Sequence, residues 1–462
     1  MPSRHITPVP KGIHVSVHDV DVLMIGAGPS NLALAVALEE CDSPEVADRA
    51  MVLEQYGDVK WQRNLLLPWT RSQVSYLKDL VTLRNPRSRF SFLNFLHENG
   101  ELDEFVNLGT FNPFRWQLSA YQQWVADTLE HVRVRYQVRA ERIQPIRADD
   151  AAVLGFVVHL SDGDTVVCRD LVFGGGRDAF VPEVFRALPT ERVIHSTEYG
   201  SRVGAATSLA RPGGPLRPVV IGGAQSAAEM FMALHQDAPG SSPMMLLRSI
   251  ALKNYQTSKF VNELFYPSFV DTFFGMSDQV RHKVLDEMHL TNYAGLAPPF
   301  LDELYSMIYQ QRMLGQPVSS VRGLTEVVGA TVEPVPGGGE EVVLEVRDLR
   351  YDSVEQVRCD ALFLGTGFDS RMPAMVRQLT DTIGLPKVTV NRHYRVDLGA
   401  DARGALYVQG VNEATHGISD SLISVLAQRS ADIVGDIVDR RVADRGTGVD
   451  QVSADRALAV RA

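Results

Sequence analysis

An α/β protein built on two Rossmann-like, parallel-sheet units is the fold this 462-residue chain predicts. Three observations carry that prediction. The apolar run Asp21-Val-Leu-Met-Ile-Gly26-Ala-Gly28-Pro-Ser-Asn31 ends in a glycine turn and opens onto a helical stretch. A similar passage, Pro218-Val-Val-Ile-Gly222-Gly223-Ala224-Gln225-Ser226, recurs about 200 residues later. Between and beyond them, strand-like alternation gives way to helix-rich stretches. A strand that turns sharply into a helix places backbone N–H groups and the positive helix end where a pyrophosphate can sit. One such turn can be glycine-rich for packing alone. Two imply two dinucleotides, most simply a flavin and the nicotinamide that reduces it.

The elements follow in order. Residues 1–18 carry no periodicity and are expected to form a mobile tail. The first unit spans 19–210, with a strand from Asp19, a helix over Asn31–Glu40 and a second strand from Ala50 to Glu54. An acidic residue closing that strand suits a ribose hydroxyl. Residues 61–135 read as helices and loops laid over this unit. Val132–Gly155 and Phe156–Phe173 alternate like antiparallel strands, with Asp162-Gly163 as a hairpin turn, and Phe173-Gly-Gly-Gly176 closes the last of them. The linker Arg211-Pro-Gly-Gly-Pro-Leu-Arg-Pro218 opens a second nucleotide unit over 211–360, with a helix-rich insertion at 262–315. Gly337-Gly-Gly339 reads as a loop between two strands. Residues 361–462 are expected to return to the first unit, through the strand and turn Ala361–Phe368 and a closing helix over Ser419–Val442.

Composition narrows the function. A net charge of −11 leaves no basic surplus for nucleic acid. Three cysteines without a CxxC pair fit a reducing cytoplasm and exclude a redox disulfide beside the first turn. The apolar stretch Val22–Leu38 is preceded by Asp19 and Asp21 and interrupted by Gly, Pro, Ser and Asn, so it reads as a buried strand and helix of a soluble protein.

Gly26 and Gly28 let the backbone approach a diphosphate, and Asn31 stands where many such turns carry a third glycine. In the second turn Ala224 takes the place of a glycine, and its methyl either crowds a pyrophosphate or marks a looser turn. Arg248 follows the apolar strand Met244–Leu247. It suits a 2′-phosphate clamp that selects NADPH; a surface arginine is the alternative.

Further segments extend the picture: Gln73-Val-Ser-Tyr-Leu-Lys78-Asp-Leu-Val-Thr-Leu-Arg-Asn-Pro86, Phe90–Gly100, Phe260-Val-Asn262-Glu263, Thr291-Asn292-Tyr293, Leu364-Gly-Thr-Gly-Phe368 and Thr415-His416-Gly-Ile-Ser-Asp-Ser-Leu-Ile-Ser424. In this order, from Asp19 to Asp436, the chain resembles the flavin-dependent N-hydroxylating monooxygenases that act on ornithine or lysine in siderophore biosynthesis. The resemblance implies FAD at Gly26–Asn31 and Glu54–Gln62, with Trp61 and Gln62 against it, Gln73 at the reactive ring edge, and Ser421, Leu422 and Ile423 approaching the flavin. It implies NADPH at Gly222, Gly223, Gln225, Ser226, Arg248 and Asn292 to Ala294. Lys78 and Asn262 would hold the substrate's α-carboxylate, Asn292 its α-amino end, and Ser424 would sit near the terminal amine.

The implied reaction passes a hydride from NADPH to FAD, adds O2 as a C4a-hydroperoxide of the flavin, and transfers oxygen to the amine. No catalytic side-chain nucleophile or metal is needed, with Gln73, Asn292 and Ser424 in support. The substrate is a small primary amine, L-ornithine first, with L-lysine or another amine as the alternative. A homo-oligomer is implied, and a flavin-binding protein without turnover is the rival from another class. Four positions depart from the family pattern. Ser72 replaces a methionine, Gln62 a histidine, and Gln117 and Ala120 two acids in Arg115-Trp-Gln-Leu-Ser-Ala-Tyr121. His416 suits either a structural hydrogen bond or proton handling.

Overall fold

The computed structural model describes residues 16–446 apart from 212, 257, 294 and 337. Its strands in chain order are β1 (Val17–Ile25), β2 (Ala50–Leu53), β3 (Arg133–Arg135), β4 (Ala140–Arg147), β5 (Val153–Leu160), β6 (Thr165–Phe173), β7 (Val193–His195), β8 (Pro218–Ile221), β9 (Met244–Leu246), β10 (Ser320–Arg322), β11 (Thr325–Pro334), β12 (Glu340–Asp348), β13 (Ser353–Cys359), β14 (Ala361–Leu364) and β15 (Ala405–Val408).

Two sheets answer to the two glycine turns. The first runs β3-β2-β1-β6-β5-β4, with β15 also on β6. Its strands β3, β2, β1, β6 and β15 pair in parallel, and β4–β6 form an antiparallel meander. The second, β10-β9-β8-β14-β7, is parallel throughout. A third, antiparallel sheet of β11, β12 and β13 lies between β10 and β14 in sequence. Apolar runs such as Ala50–Leu53 and Ala361–Leu364 are buried at every position, as strands covered on both faces must be. The helix Pro29–Glu39 is buried over Asn31–Leu38, packed between the first sheet and the closing helix through Ile433 and Ile437.

Four sequence expectations need correction. Strand β1 begins inside the expected tail, because Val17 and His18 pair with Thr165 and Val166 on β6; residues 1–15 lie outside the described residues. Strand β3 lies parallel to β2 instead of antiparallel to a neighbour. Both β7 and β14 belong to the second sheet, so the breaks at 210 and 360 do not match sheet membership, and the chain rejoins the first sheet only at β15. A four-residue apolar strand carries no mark of which sheet will accept it. The closing helix spans Leu426–Gly446 and starts late, because Leu422 is extended (φ −102°, ψ 155°) and a short 3-10 turn, Ile423–Val425, precedes it.

The helix-rich insertion appears as expected between β9 and β10, with helices Lys259–Asn262, Pro267–Phe274, Asp278–Asn292 and Pro298–Met313. The Gly338-Gly339 part of the expected loop joins β11 to β12; Gly337 lies outside the described residues. Among the described residues no helix is long and apolar enough to cross a membrane.

Candidate functional site

Backbone demands explain the glycines of the first turn. Gly26 has φ +88°, and a Cβ there would come within 3.2 Å of Gly175 Cα and 3.3 Å of Gly174 O. Gly28 has an ordinary φ of −72° and caps the helix start with no side-chain partner, so the first helical N–H groups keep room for an anion. Glu54 closes the turn from below: Ala27 N donates to its Oε2 (2.9 Å) and Tyr56 N to its Oε1 (3.0 Å). Asn31 is fully buried. It donates to Ile25 O and Gly26 O at 2.8 Å and accepts from Gln409, so it shapes the turn from within. Trp61 is half-buried against the core beneath; Gln62, in the left-handed region at φ +51°, and Gln73 are exposed.

In the second turn packing and ligand access coincide. Gly222 has φ +127°, and a Cβ would meet Gly365 O at 2.4 Å; at Gly223 it would press on Leu247 at 3.2 Å. Ala224 caps the helix Gln225–Asp237 with φ −106° and ψ −178°, extended backbone open to any residue. The backbone of the turn therefore needs no glycine there. Ser226 follows in the uncapped first turn. Gly222 N donates to Leu246 O (3.0 Å), so the end of β9 lies beside the turn. Arg248, two residues beyond, is exposed and makes no ion pair among the described residues.

The third group centres on Lys78. Its ammonium is half-buried, 3.4 Å from Ser424 Oγ, and has no carboxylate partner among the described residues. Desolvation holds its pKa below the ordinary lysine value. The neighbouring Asp79 is turned inward, accepting from Val81, Thr82 and Phe92 backbone N–H groups. Ser424 is buried and stands beside Lys78. Asn262 is exposed at the end of the Lys259–Asn262 helix, and Asn292 half-buried at the end of Asp278–Asn292; Ala294 lies outside the described residues.

Contacts tie the insertion to the 413–424 segment. The Tyr293 hydroxyl bonds Glu413 and the Ser421 side chain, while Phe273 packs on Gly417 and Arg392 donates to Asp271 at 2.6 Å. Ser421 is exposed, and Leu422 and Ile423 are half-buried beside it.

This geometry accompanies a sequence match. The profile of the L-lysine 6-monooxygenase/L-ornithine 5-monooxygenase family covers residues 18–370. The L-ornithine N(5)-monooxygenase of Pseudomonas aeruginosa is 36% identical over 423 residues, 90% of this chain and 93% of that one. This chain belongs to that family. The solved ornithine hydroxylase of Pseudomonas aeruginosa superposes with a TM-score of 0.82 at 35% identity, covering 92% of this chain and 99% of that one. The ornithine N-hydroxylase of Kutzneria sp. 744, in a complex with reduced FAD, NADP+ and L-ornithine, gives 0.82 at 31% identity, covering 92% and 100%.

Against the family pattern, the unusual residues find local uses. Ser72 is buried, donating to Val74 O (2.9 Å) and accepting from Val74 N (3.1 Å), and so closes a tight turn one residue before Gln73. Gln117 caps its helix by accepting from Phe114 N (3.2 Å), which a glutamate would also do. Ala120 is exposed, so the missing acid leaves no buried partner unpaired.

His416 is sealed: it stacks on Tyr394 (4.1 Å between ring centroids) and lies 3.2 Å from Arg392 O. Burial pushes its pKa down to about 4, so it is neutral at pH 7, which favours the structural hydrogen bond over proton handling. With the folded value below the unfolded one of about 6.5, the unfolded chain binds more protons between them. The contribution is therefore complete above pH 6.5 and is lost as pH falls towards 4, a change of about 3 kcal/mol. Thermal melts from pH 7.5 to 4.5 are expected to fall less steeply for His416→Gln than for the parent; identical slopes would refute this assignment.

Proposed function

We propose that this chain N-hydroxylates the side-chain amine of L-ornithine, giving N5-hydroxyornithine, with FAD and NADPH as cofactors and O2 as oxidant. The observation that carries the substrate half is Lys78: among the described residues its half-buried ammonium has a hydroxyl beside it and no anion, and an α-amino acid brings one. On this reading Lys78, Ser424 and Asn262 hold the carboxylate and Asn292 the α-amino group. Ser424 moves from the amine end to the acid end, because its hydroxyl lies 3.4 Å from the ammonium that binds the acid.

The cofactor half rests on the two turns. Gly28, where a Cβ would meet no atom nearer than Gly174 O at 3.7 Å, and the uncapped helix start fit the FAD pyrophosphate, with Glu54 at the ribose and Trp61, Gln62, Gln73 and Ser421 to Ile423 around the ring. Gly222, Gly223, Gln225 and Ser226 fit the second dinucleotide, and the unpaired Arg248 fits its 2′-phosphate. When bound, the flavin supplies the redox chemistry, accepting hydride from NADPH and activating O2. The protein's tasks are to hold the amino acid by its acid end, exclude water and receive the amine neutral, against a free value of about 10.4. The hydroxylamine product suits acylation to a hydroxamate for a siderophore or related natural product. A cytoplasmic homo-oligomer belongs to the same proposal, its reducing compartment supported by a sequence with three cysteines and no CxxC pair.

The test is hydroxylamine formation with ornithine, lysine, putrescine and cadaverine under NADPH. Ornithine is expected to lead; product from the diamines alone would remove the carboxylate role of Lys78. One methylene is worth about 1–3 kcal/mol, so lysine should trail by about 10- to 150-fold. In Arg248→Ala the KM for NADPH is expected to rise about tenfold, with KM for NADH little changed, because one charge-assisted bond is lost. Equal effects on both coenzymes would remove Arg248 from the 2′-phosphate.

A further inference from the structure

Arg115, heading the helix Arg115–Thr128 of the first unit, and Glu229, in the helix Gln225–Asp237 of the second, form a two-bonded ion pair across the units. Nη2 donates to Oε1 at 2.7 Å and Nη1 to Oε2 at 2.9 Å, with side-chain exposures of 5% and 2%. Glu229 also holds a side chain assigned to NADPH, and Arg115 holds the loop that leads to one assigned to FAD. Arg115 Nη1 donates to Leu65 O (2.9 Å) and its backbone N–H to Thr70 O (2.9 Å), which fixes the loop leading to Gln73. Glu229 Oε1 accepts from Gln225 Nε2 (2.9 Å). Facing a carboxylate, the Gln225 amide must present its nitrogen, and its buried Oε1 is left with no hydrogen-bond partner. Tyr255 completes the patch, hydrogen-bonded to the Gln73 side chain and within electrostatic reach of Arg115 and Glu229.

A buried ion pair is a poor source of stability, because desolvation consumes most of the Coulomb gain and an apolar pair of similar volume often does as well. What apolar groups cannot do is orient Gln225 and the Leu65–Gln73 loop by directional bonds. We propose that the Arg115–Glu229 pair is a positioning device for hydride transfer, fixing the nicotinamide-side Gln225 and the flavin-side Gln73 loop as one unit. The inference rests on the cofactor reading above. In the step concerned, NADPH gives a hydride, two electrons with one proton, to the flavin and leaves as NADP+. A misplacement of about 1 Å can cost about 100-fold in such a transfer.

The test compares the FAD-loaded protein with Arg115→Met/Glu229→Met and with Glu229→Gln. Flavin content, thermal midpoint, the difference spectrum on titrating NADP+ and the anaerobic rate of flavin reduction by NADPH are measured. The double variant is expected to keep its flavin, its midpoint within a few degrees and its NADP+ affinity within about threefold, while the limiting reduction rate falls about 10- to 100-fold. Reduction by dithionite is expected to be unchanged in every form. A double variant that is reduced by NADPH at the parental rate overturns the proposal. Should it fail to fold, Glu229→Gln decides: a rate within twofold of the parent overturns it, and a tenfold loss at unchanged NADP+ affinity supports it. Failure of NADPH to reduce the parent protein refutes the cofactor reading instead, and with it the step this pair would serve.

Discussion

Replacing Lys78 with alanine is expected to raise KM for L-ornithine by about 10- to 150-fold while NADPH reduces the flavin at close to the parental rate. A hydrogen bond to a charged group is worth about 1.5–3 kcal/mol, which sets that range. Among the described residues Lys78 has no acid to release, since Asp79 is committed to backbone N–H groups and the polar partner of the ammonium is the neutral Ser424. Removing the ammonium therefore leaves no buried counter-charge stranded, and the fold should tolerate the change. Lys78→Met, which keeps the stem, separates lost charge from lost packing; it should match alanine in KM. The pH dependence follows from the same burial. The free-enzyme pKa lies below the ordinary lysine value, so substrate affinity should fail as pH rises through it, earlier than for an exposed lysine. Steady-state kinetics with ornithine and stopped-flow reduction by NADPH check both parts. An unchanged KM would take Lys78 out of the substrate site.

The two nucleotide turns were legible because their chemistry is local. Gly26 and Gly222 need positive φ and lie against Gly174–Gly175 and Gly365, and a short sequence window displays such demands as glycine. The strand β1, the helix after it and the helical insertion were legible for the same reason, each having its own periodicity or breaker. What escaped depends on partners far along the chain. Strand β14 reads like any buried strand, and only its pairing with both β8 and β7 places it at the heart of the second sheet. Glu229 sits inside a recognisable turn-and-helix motif, yet nothing nearby indicates a guanidinium 114 residues away. Tyr293 lies in the stretch 292–294 that the resemblance gives to NADPH, and nothing in that stretch points to Glu413 and Ser421, which reach its hydroxyl only in the folded chain. Ser424 shows the limit most clearly: no sequence window displays that its hydroxyl meets Lys78 Nζ, 346 residues earlier.

Arg429→Met is expected to have the largest effect on the folded state, a loss of about 3–5 kcal/mol together with weaker retention of FAD. Arg429 is 1% exposed and its partner Asp420 is fully buried, with Nη1 at 3.2 Å from Oδ1 and 2.6 Å from the Asp420 carbonyl. The same guanidinium donates to Gln409 Oε1 (3.1 Å) and Ser30 Oγ (2.9 Å). Gln409 in turn donates to Asn31, whose amide holds the carbonyls of Ile25 and Gly26. One side chain therefore joins the first glycine turn to the segment carrying Ser421 and Ser424. Methionine fills much of the volume but strands the Asp420 carboxylate, which among the described residues keeps the Asn412 N–H (2.7 Å) and no cation, and costs far more unpaired than the pair contributed. The thermal midpoint should drop by more than about 5 °C and recover in part with excess FAD, since a ligand of the native state adds stability by mass action. Adding Asp420→Asn removes the stranded charge and should restore part of the midpoint but little of the flavin retention, because Ser30, Gln409 and Asn31 still lack their anchor. If Arg429→Met instead keeps both its midpoint and a full complement of flavin, the turn holds its shape without this network. Asn31 and the glycines would then be sufficient on their own.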